Sequence, residues 1–100
     1  MTHLRIWKFR PPDGREQEFV AAYSGNGRWA ELFAQAPGYR GTTLLRPVDA
    51  GGDWLTIDRW NSLADFEAFN RSLGDDYRTL DAELAGLAGV EEFVGAFEED

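Results

Sequence analysis

One aspartate in this sequence is placed where its carboxylate could act as a base. In the stretch WLTIDRW, residues 54–60, strand alternation puts Asp58 on the same face as Trp60. A carboxylate buried among apolar side chains is unfavourable as an isolated ion, so its pKa rises and it can accept a proton near neutral pH. The alternative is an ion pair with an arginine such as Arg5, either on a neighbouring strand or across a dimer. The sequence leaves both interpretations open.

The aromatic residues indicate a second function, the binding of a flat aromatic ligand. Trp60 stands where a strand runs into a helix, either as a wedge in the core or as a cavity wall that stacks on a planar molecule. Where other aromatic residues converge on it, tyrosine hydroxyls could position a phenol or an enolate. The predicted pocket residues are Trp60, Trp7, Tyr23, Trp29, Phe66 and Tyr77, and the candidates for a catalytic role are Trp60, Tyr77 and Asp58.

The remaining residue types argue against metal, nucleotide and covalent chemistry. The chain has no cysteine and one histidine, His3, so a thiolate site is impossible and a usual transition-metal site lacks ligands. No serine stands with a recognisable base. The glycine-rich stretch SGNG at 24–27 lacks the strand-to-helix context of a phosphate-binding loop. We therefore expect no metal and no cofactor.

The charge distribution argues against a nucleic-acid partner. The formal net charge is −8, and residues 74–100 carry nine acidic side chains against Arg78 alone, while the rest of the chain is balanced. Such a surface repels phosphate backbones. No apolar run is long enough for a signal peptide or a membrane span, so the sequence predicts a cytoplasmic protein with no membrane partner.

The elements that must hold these side chains follow the order β-α-β-β-α-β in a single domain, residues 1–100. Strands are predicted at 3–10, 39–47, 54–60 and 90–99. This order predicts the α+β class and a ferredoxin-like fold with a four-stranded antiparallel sheet.

Two helical regions connect these strands. Asp13 is expected to cap the first, which starts near Gly14, breaks near 25–27 and ends at the Pro-Gly pair 37–38. Asn61 or Ser62 is expected to cap the second. Gly74 is expected to break the second region, which resumes and ends at a later glycine.

The sheet is predicted to need a cover on both faces. On the first strand Trp7 and Phe9 oppose Leu4 and Ile6, and on the third Trp54 and Trp60 oppose Leu55 and Ile57, so neither strand has a cleanly polar face. Helices cover one face, and no residues remain to cover the other. The economical solution is a two-fold homodimer in which the sheets of two copies pack together.

Two stretches resemble the antibiotic biosynthesis monooxygenase-like family of dimeric α+β barrel proteins. In TIDRWNSLADFEAF, 56–69, a strand ends in tryptophan before a capping serine and an aromatic-rich helix; in FAQAPGYRGTTLLR, 33–46, a helix ends at Pro-Gly before a strand. The resemblance covers nearly the whole chain. It implies a ferredoxin-like βαββαβ fold that pairs as a dimeric α+β barrel, with a ligand pocket between sheet and helices that Trp60 borders.

The resemblance also implies two alternative functions. One is a cofactor-independent monooxygenase acting on an aromatic polyketide or quinol-like small molecule. The other is a non-catalytic homodimer of the same fold that binds a small molecule or has a structural role. Haem-degrading relatives use a histidine on the second helix, but residues 63–80 here contain none. Trp7 stands where those relatives have an asparagine and would fill space that haem needs.

Overall fold

A computed structural model, which describes residues 1–100, has four strands and three helices. The strands are β1 (Thr2–Arg10), β2 (Tyr39–Leu45), β3 (Trp54–Trp60) and β4 (Val90–Glu99), and the helices are α1 (Glu16–Tyr23), α2 (Arg28–Phe33) and α3 (Leu63–Glu83). The strands form one antiparallel sheet in the order β2-β3-β1-β4. This is the ferredoxin-like α+β arrangement, so the predicted fold class is confirmed.

The first helical region begins later than predicted, and Asp13 does not cap it. The Arg15 N–H donates to the Pro12 carbonyl at 3.1 Å, closing a turn in which Gly14 has a φ of +83°. Helix α1 therefore starts after Arg15, which makes no side-chain capping bond. The predicted break near Gly27 is confirmed, because α1 ends at Tyr23 and α2 begins at Arg28. A Cβ on Gly27 would lie 2.5 Å from the Ala21 carbonyl oxygen, so only glycine fits this turn.

Helix α3 starts as predicted and is interrupted next to Gly74. The Ser62 hydroxyl accepts a hydrogen bond from the Asp65 N–H at 3.1 Å, which is the predicted N-terminal cap. The predicted break appears as a kink at Leu73, one residue before Gly74, with the non-helical angles φ −123° and ψ 16°. The helix resumes after it and continues to Glu83. A glycine lowers the stability of a helix at its position by about 1 kcal/mol, which favours a kink there.

The two faces of the sheet have different environments. On β3 the side chains of Trp54, Thr56, Asp58 and Trp60 are buried beneath the helices, whereas those between them are half-buried. We call the opposite side the open face, and define it by Leu4, Ile6, Leu45, Leu55, Ile57 and Phe97. No element of the chain covers it. Leu45 and Phe97 are 43% and 45% exposed, so the open face is an apolar surface left bare by this chain.

The core lies between the covered face and the helices and is built mainly from aromatic rings. Its largest fully buried side chains are Trp60, Phe19 and Phe69. Phe69 contacts Trp60 with a ring-centroid distance of 5.3 Å, and Phe19 contacts Trp54 at the same distance. Aromatic side chains bury a large area each, which lets a short chain form a substantial core. None of the three helices is both long and apolar enough to cross a membrane.

Candidate functional site

A cavity of about 210 Å³ lies between the covered face of the sheet and the helices. Both kinds of element contribute to its wall. Its apolar lining is aromatic throughout and consists of Trp7, Phe9, Tyr23, Trp29, Phe33 and Tyr77. Its polar lining consists of Thr42, Thr56, Asp58, Asp81 and Glu91. A small concave site with aromatic walls and a few polar groups is suited to a small aromatic ligand.

Four of the six predicted pocket residues line this cavity, namely Trp7, Tyr23, Trp29 and Tyr77. Trp60 does not, and its expected position on the wall is corrected. It is fully buried, and it meets Phe33 edge to face at 5.7 Å, while Phe33 itself lines the cavity. Trp60 is therefore the wedge one layer behind the wall. Phe66 also lies outside the lining, packed against Trp60 at 5.6 Å.

Asp58 lines the cavity and is only 8% exposed. The Thr42 hydroxyl donates to its Oδ1 at 2.6 Å, and the Tyr39 hydroxyl lies 2.5 Å from the Thr42 oxygen. Since Thr42 uses its only proton on Asp58, the Tyr39 hydroxyl must be the donor to Thr42. The protein donates no hydrogen bond to Oδ2 of Asp58, since the bond from Thr42 goes to Oδ1. One oxygen is thus held in place, while the other is free for a ligand.

Burial raises the pKa of Asp58 from 3.8 to about 6, against the opposing effects of the Thr42 hydroxyl and the charges of Arg5 and Arg59. The alternative interpretation of an ion pair with Arg5 is not met within this chain. The Arg5 guanidinium carbon lies 3.9 Å from the Phe66 ring centroid and 4.7 Å from that of Phe93, and no cation lies within 4.0 Å of Asp58. Asp58 is therefore ionised at neutral pH but holds a proton more strongly than an ordinary carboxylate.

Three residues that carry hydrogen-bond donors line the same cavity, namely Tyr23, Trp29 and Tyr77. Burial raises the pKa of Tyr23 to about 12 and also raises the pKa of Tyr77, so both hydroxyls keep their protons at neutral pH. The indole N–H of Trp29 lies close enough to the Tyr23 hydroxyl to lower its pKa, but it makes no hydrogen bond with acceptable geometry. This N–H is buried and the protein leaves it without a partner.

Sequence reasoning missed several residues that line the cavity. The feature that could have identified them differs from residue to residue. Thr42 is paired with Asp58 across β2 and β3, which only the register of that pairing reveals. Asp81 follows Tyr77 by four residues, so helical spacing already placed both on one face. Glu91 lies near the start of β4, opposite Phe9. The carboxylates of Asp81 and Glu91 therefore reach the cavity from two different elements.

The other titratable candidates lie elsewhere. His3 is buried but does not line the cavity, and its Nε2 has no hydrogen-bond partner. Burial, followed by the charge of Arg5, lowers the pKa of His3, so the imidazole is neutral at pH 7. No group of three or more histidine, cysteine, aspartate and glutamate side chains is arranged to hold a metal ion.

Comparison with known proteins identifies a family and several similar structures. The model of the family described as "Antibiotic biosynthesis monooxygenase" matches residues 2–82. A mutant of SnoaB, a cofactor-independent oxygenase from Streptomyces nogalater, is 24% identical, with a TM-score of 0.74 and coverage of 98% of this chain and 92% of that one. A search of curated proteins finds no match.

Two further structures share the fold. A mutant of MhuD with two manganese protoporphyrin IX molecules bound per active site is 23% identical, with a TM-score of 0.66 and coverage of 97% of this chain and 93% of that one. A dimeric ferredoxin-like protein of unknown function from Thermobifida fusca is 19% identical, with a TM-score of 0.66 and coverage of 99% and 92%. At these identities the likeness concerns the fold, while the family match concerns the sequence.

Proposed function

The chain belongs to the antibiotic biosynthesis monooxygenase family, and from this premise we propose that it is a cofactor-independent monooxygenase. Its substrate would be an aromatic polyketide or quinol-like small molecule, bound in the cavity between sheet and helices. The observation that carries the proposal is the buried Asp58, which lines an aromatic cavity with one oxygen unpartnered. A carboxylate with a pKa raised to about 6 is suited to removing a weakly acidic proton.

The reaction needs only the substrate, molecular oxygen and a base. Asp58 takes a proton from an activated methylene carbon of the substrate, leaving a carbanion. The carbanion transfers one electron to O₂, and the resulting radical and superoxide combine into a peroxide with a new carbon–oxygen bond. Asp58 returns its proton to the terminal oxygen of the peroxide anion, which becomes a hydroperoxide. Loss of the second methylene proton then forms the carbonyl group as the O–O bond breaks, and the departing hydroxide takes up that proton to form water. The products are a ketone and one molecule of water.

The neutral donors of the cavity would stabilise the anion that forms in the first step. Tyr23 and Tyr77 keep their protons at neutral pH because burial raises their pKa values, and the Trp29 N–H has no partner in the protein. Donors that already face the oxygen where charge develops lower the barrier without rearranging. The aromatic walls exclude water, which strengthens these interactions and protects the carbanion.

Oxygen consumption by the purified protein tests this proposal directly. We expect uptake with anthrones or naphthols, a large loss of it in Asp58→Asn, and a smaller loss in Tyr77→Phe, which removes one hydroxyl. Asp76→Asn is a matched control, because Asp76 is an exposed carboxylate on α3 that does not line the cavity. Uptake unchanged in Asp58→Asn would exclude Asp58 as the base. Saturable binding of the same compounds without uptake would favour a non-catalytic binding protein.

We also propose that the open face is covered by a second copy of the chain. The open face is apolar and bare, and the Thermobifida fusca protein of the same fold is described as dimeric. Ile57→Lys, at the centre of the open face, is expected to convert dimers into monomers in light scattering. Glu67→Lys, on the exposed side of α3, is the control. A wild-type monomer at micromolar concentration would refute the dimer.

A further inference from the structure

The charged groups that line the cavity are all of one sign. Asp58, Asp81 and Glu91 contribute three carboxylates, and none of the lining residues is a lysine, arginine or histidine. A cavity of this kind, with low-dielectric aromatic walls, concentrates the negative potential of its carboxylates. It therefore disfavours ligands that carry a carboxylate or a phosphate group.

Two of these carboxylates form the outer part of the lining, and neither is neutralised by the protein. Asp81 on α3 and Glu91 on β4 are exposed, and neither takes part in an ion pair within 4.0 Å. Other acidic residues on the same elements do, since Glu83 pairs with Arg28 and Glu92 pairs with Lys8. Burial and, to a smaller extent, the charge of Asp81 raise the pKa of Glu91, so the two carboxylates are close enough to repel each other.

A second observation comes from the buried part of the cavity. Asp58 is 8% exposed and lines the same cavity, and its Oδ2 has no hydrogen-bond partner. A carboxylate oxygen without a donor from the protein can accept a hydrogen bond from a ligand. The rings of Trp7, Trp29 and Tyr77 line the same cavity, and aromatic ring faces attract cations.

We propose that the cavity binds an aromatic molecule carrying a protonated amine, with its ring among the aromatic side chains and its ammonium group between Asp81 and Glu91. The inference rests on the proposed function and deepens it by naming a substrate class. An ammonium group has three donors and one positive charge, so it satisfies two carboxylates that repel each other in its absence. It also gains from the neighbouring ring faces.

The nearest arginine on the covered face does not take this place. The Arg5 guanidinium group lies between the rings of Phe66 and Phe93, and Arg5 is not among the lining residues. Its charge acts on Asp58 and Tyr77 from that position. Asp81 and Glu91 are therefore left for a cation that comes from outside the chain.

Calorimetric titration with three naphthalenes that differ only in charge tests the inference: 2-naphthylmethylamine, 2-naphthylmethanol and 2-naphthoate. We expect the amine to bind roughly tenfold more tightly than the alcohol, and the carboxylate more weakly than either, with a preference that shrinks at high salt. The double variant D81N/E91Q should bind the amine and the alcohol about equally, while D76N, on the same helix but outside the cavity, should keep the preference. Circular dichroism checks that each variant is folded.

The outcomes separate this inference from the proposed function. Equal binding of the three compounds, or an amine preference that survives in D81N/E91Q, would overturn the inference. Neither result affects oxygen uptake with uncharged anthrones, which tests the monooxygenase proposal independently. A preference for the amine that is lost in D81N/E91Q and kept in D76N would support the inference that the cavity binds an aromatic amine.

Discussion

Replacing Asp58 with asparagine should make this protein more stable while strongly reducing the proposed oxygen uptake. Asparagine has nearly the same shape, and its carbonyl oxygen can accept the hydrogen bond that Thr42 now donates to Oδ1 at 2.6 Å. The substitution therefore removes the buried negative charge and keeps the packing. Such a gain in stability is expected where a buried charged group lowers the stability of the fold and is kept for function.

The size of the effect follows from the pKa of the carboxylate. Burial raises the pKa from 3.8 to about 6, and each unit corresponds to 1.36 kcal/mol. Because the folded protein binds this proton more strongly than the unfolded chain, the stability of the wild type falls as the pH rises from about 4 to about 6, and then stays level. The advantage of Asp58→Asn should therefore be about 0.5 kcal/mol at pH 4 and about 3 kcal/mol at pH 8.

Urea denaturation of the wild type and the variant at a series of pH values measures this difference. Effects of the other carboxylates cancel in the comparison, since both proteins share them. Asp76→Asn is the control, because an exposed carboxylate should change stability by a few tenths of a kcal/mol at most. A gain that does not depend on pH, or a loss of stability at about pH 8, would show that Asp58 is not an uncompensated buried charge.

Three further predictions concern the residues around this site. Trp60→Ala should lower the free energy of unfolding by about 3–5 kcal/mol in urea titration, because Trp60 is fully buried in the core; a loss below about 1 kcal/mol would contradict its role as a wedge. Thr42→Val should raise the pKa of Asp58 further, since the hydroxyl that lowers it is gone, and carbon NMR of the carboxyl group measures this; an unchanged pKa would refute the hydrogen bond. Ser62→Ala should cost about 1 kcal/mol in thermal unfolding, whereas Ser72→Ala, exposed within α3, should cost less. Equal costs would argue against the cap.

Much of the fold followed from local patterns in the sequence. Alternating side chains identified β3 and its two faces, and the Ser62 cap marked the start of α3 within one residue. The error in the helices concerns a glycine. Gly14 lies in a turn closed by the bond from the Arg15 N–H to the Pro12 carbonyl, and this turn separates Asp13 from α1. The identity of a glycine allows several conformations, so the sequence did not show which one this position takes.

The candidate site was only partly accessible in this way. Alternation showed that Asp58 and Trp60 share a face of the sheet. It did not show that the two side chains lie at different distances from the cavity. Asp58 lines the cavity, while Trp60 lies behind Phe33. A repeat of two residues gives the direction of a side chain and carries no information on which helix packs over it.

The sequence by itself determined the order of the elements, the burial of one sheet face, the supply of aromatic rings and the absence of thiol chemistry. Only the tertiary structure decided that Thr42 holds Asp58, that Arg5 turns to two phenylalanine rings, and that Asp81 and Glu91 meet at one cavity. The reason is that direction and polarity are local properties of a chain. Pairing, desolvation and enclosure depend on residues from separate elements arriving at the same place.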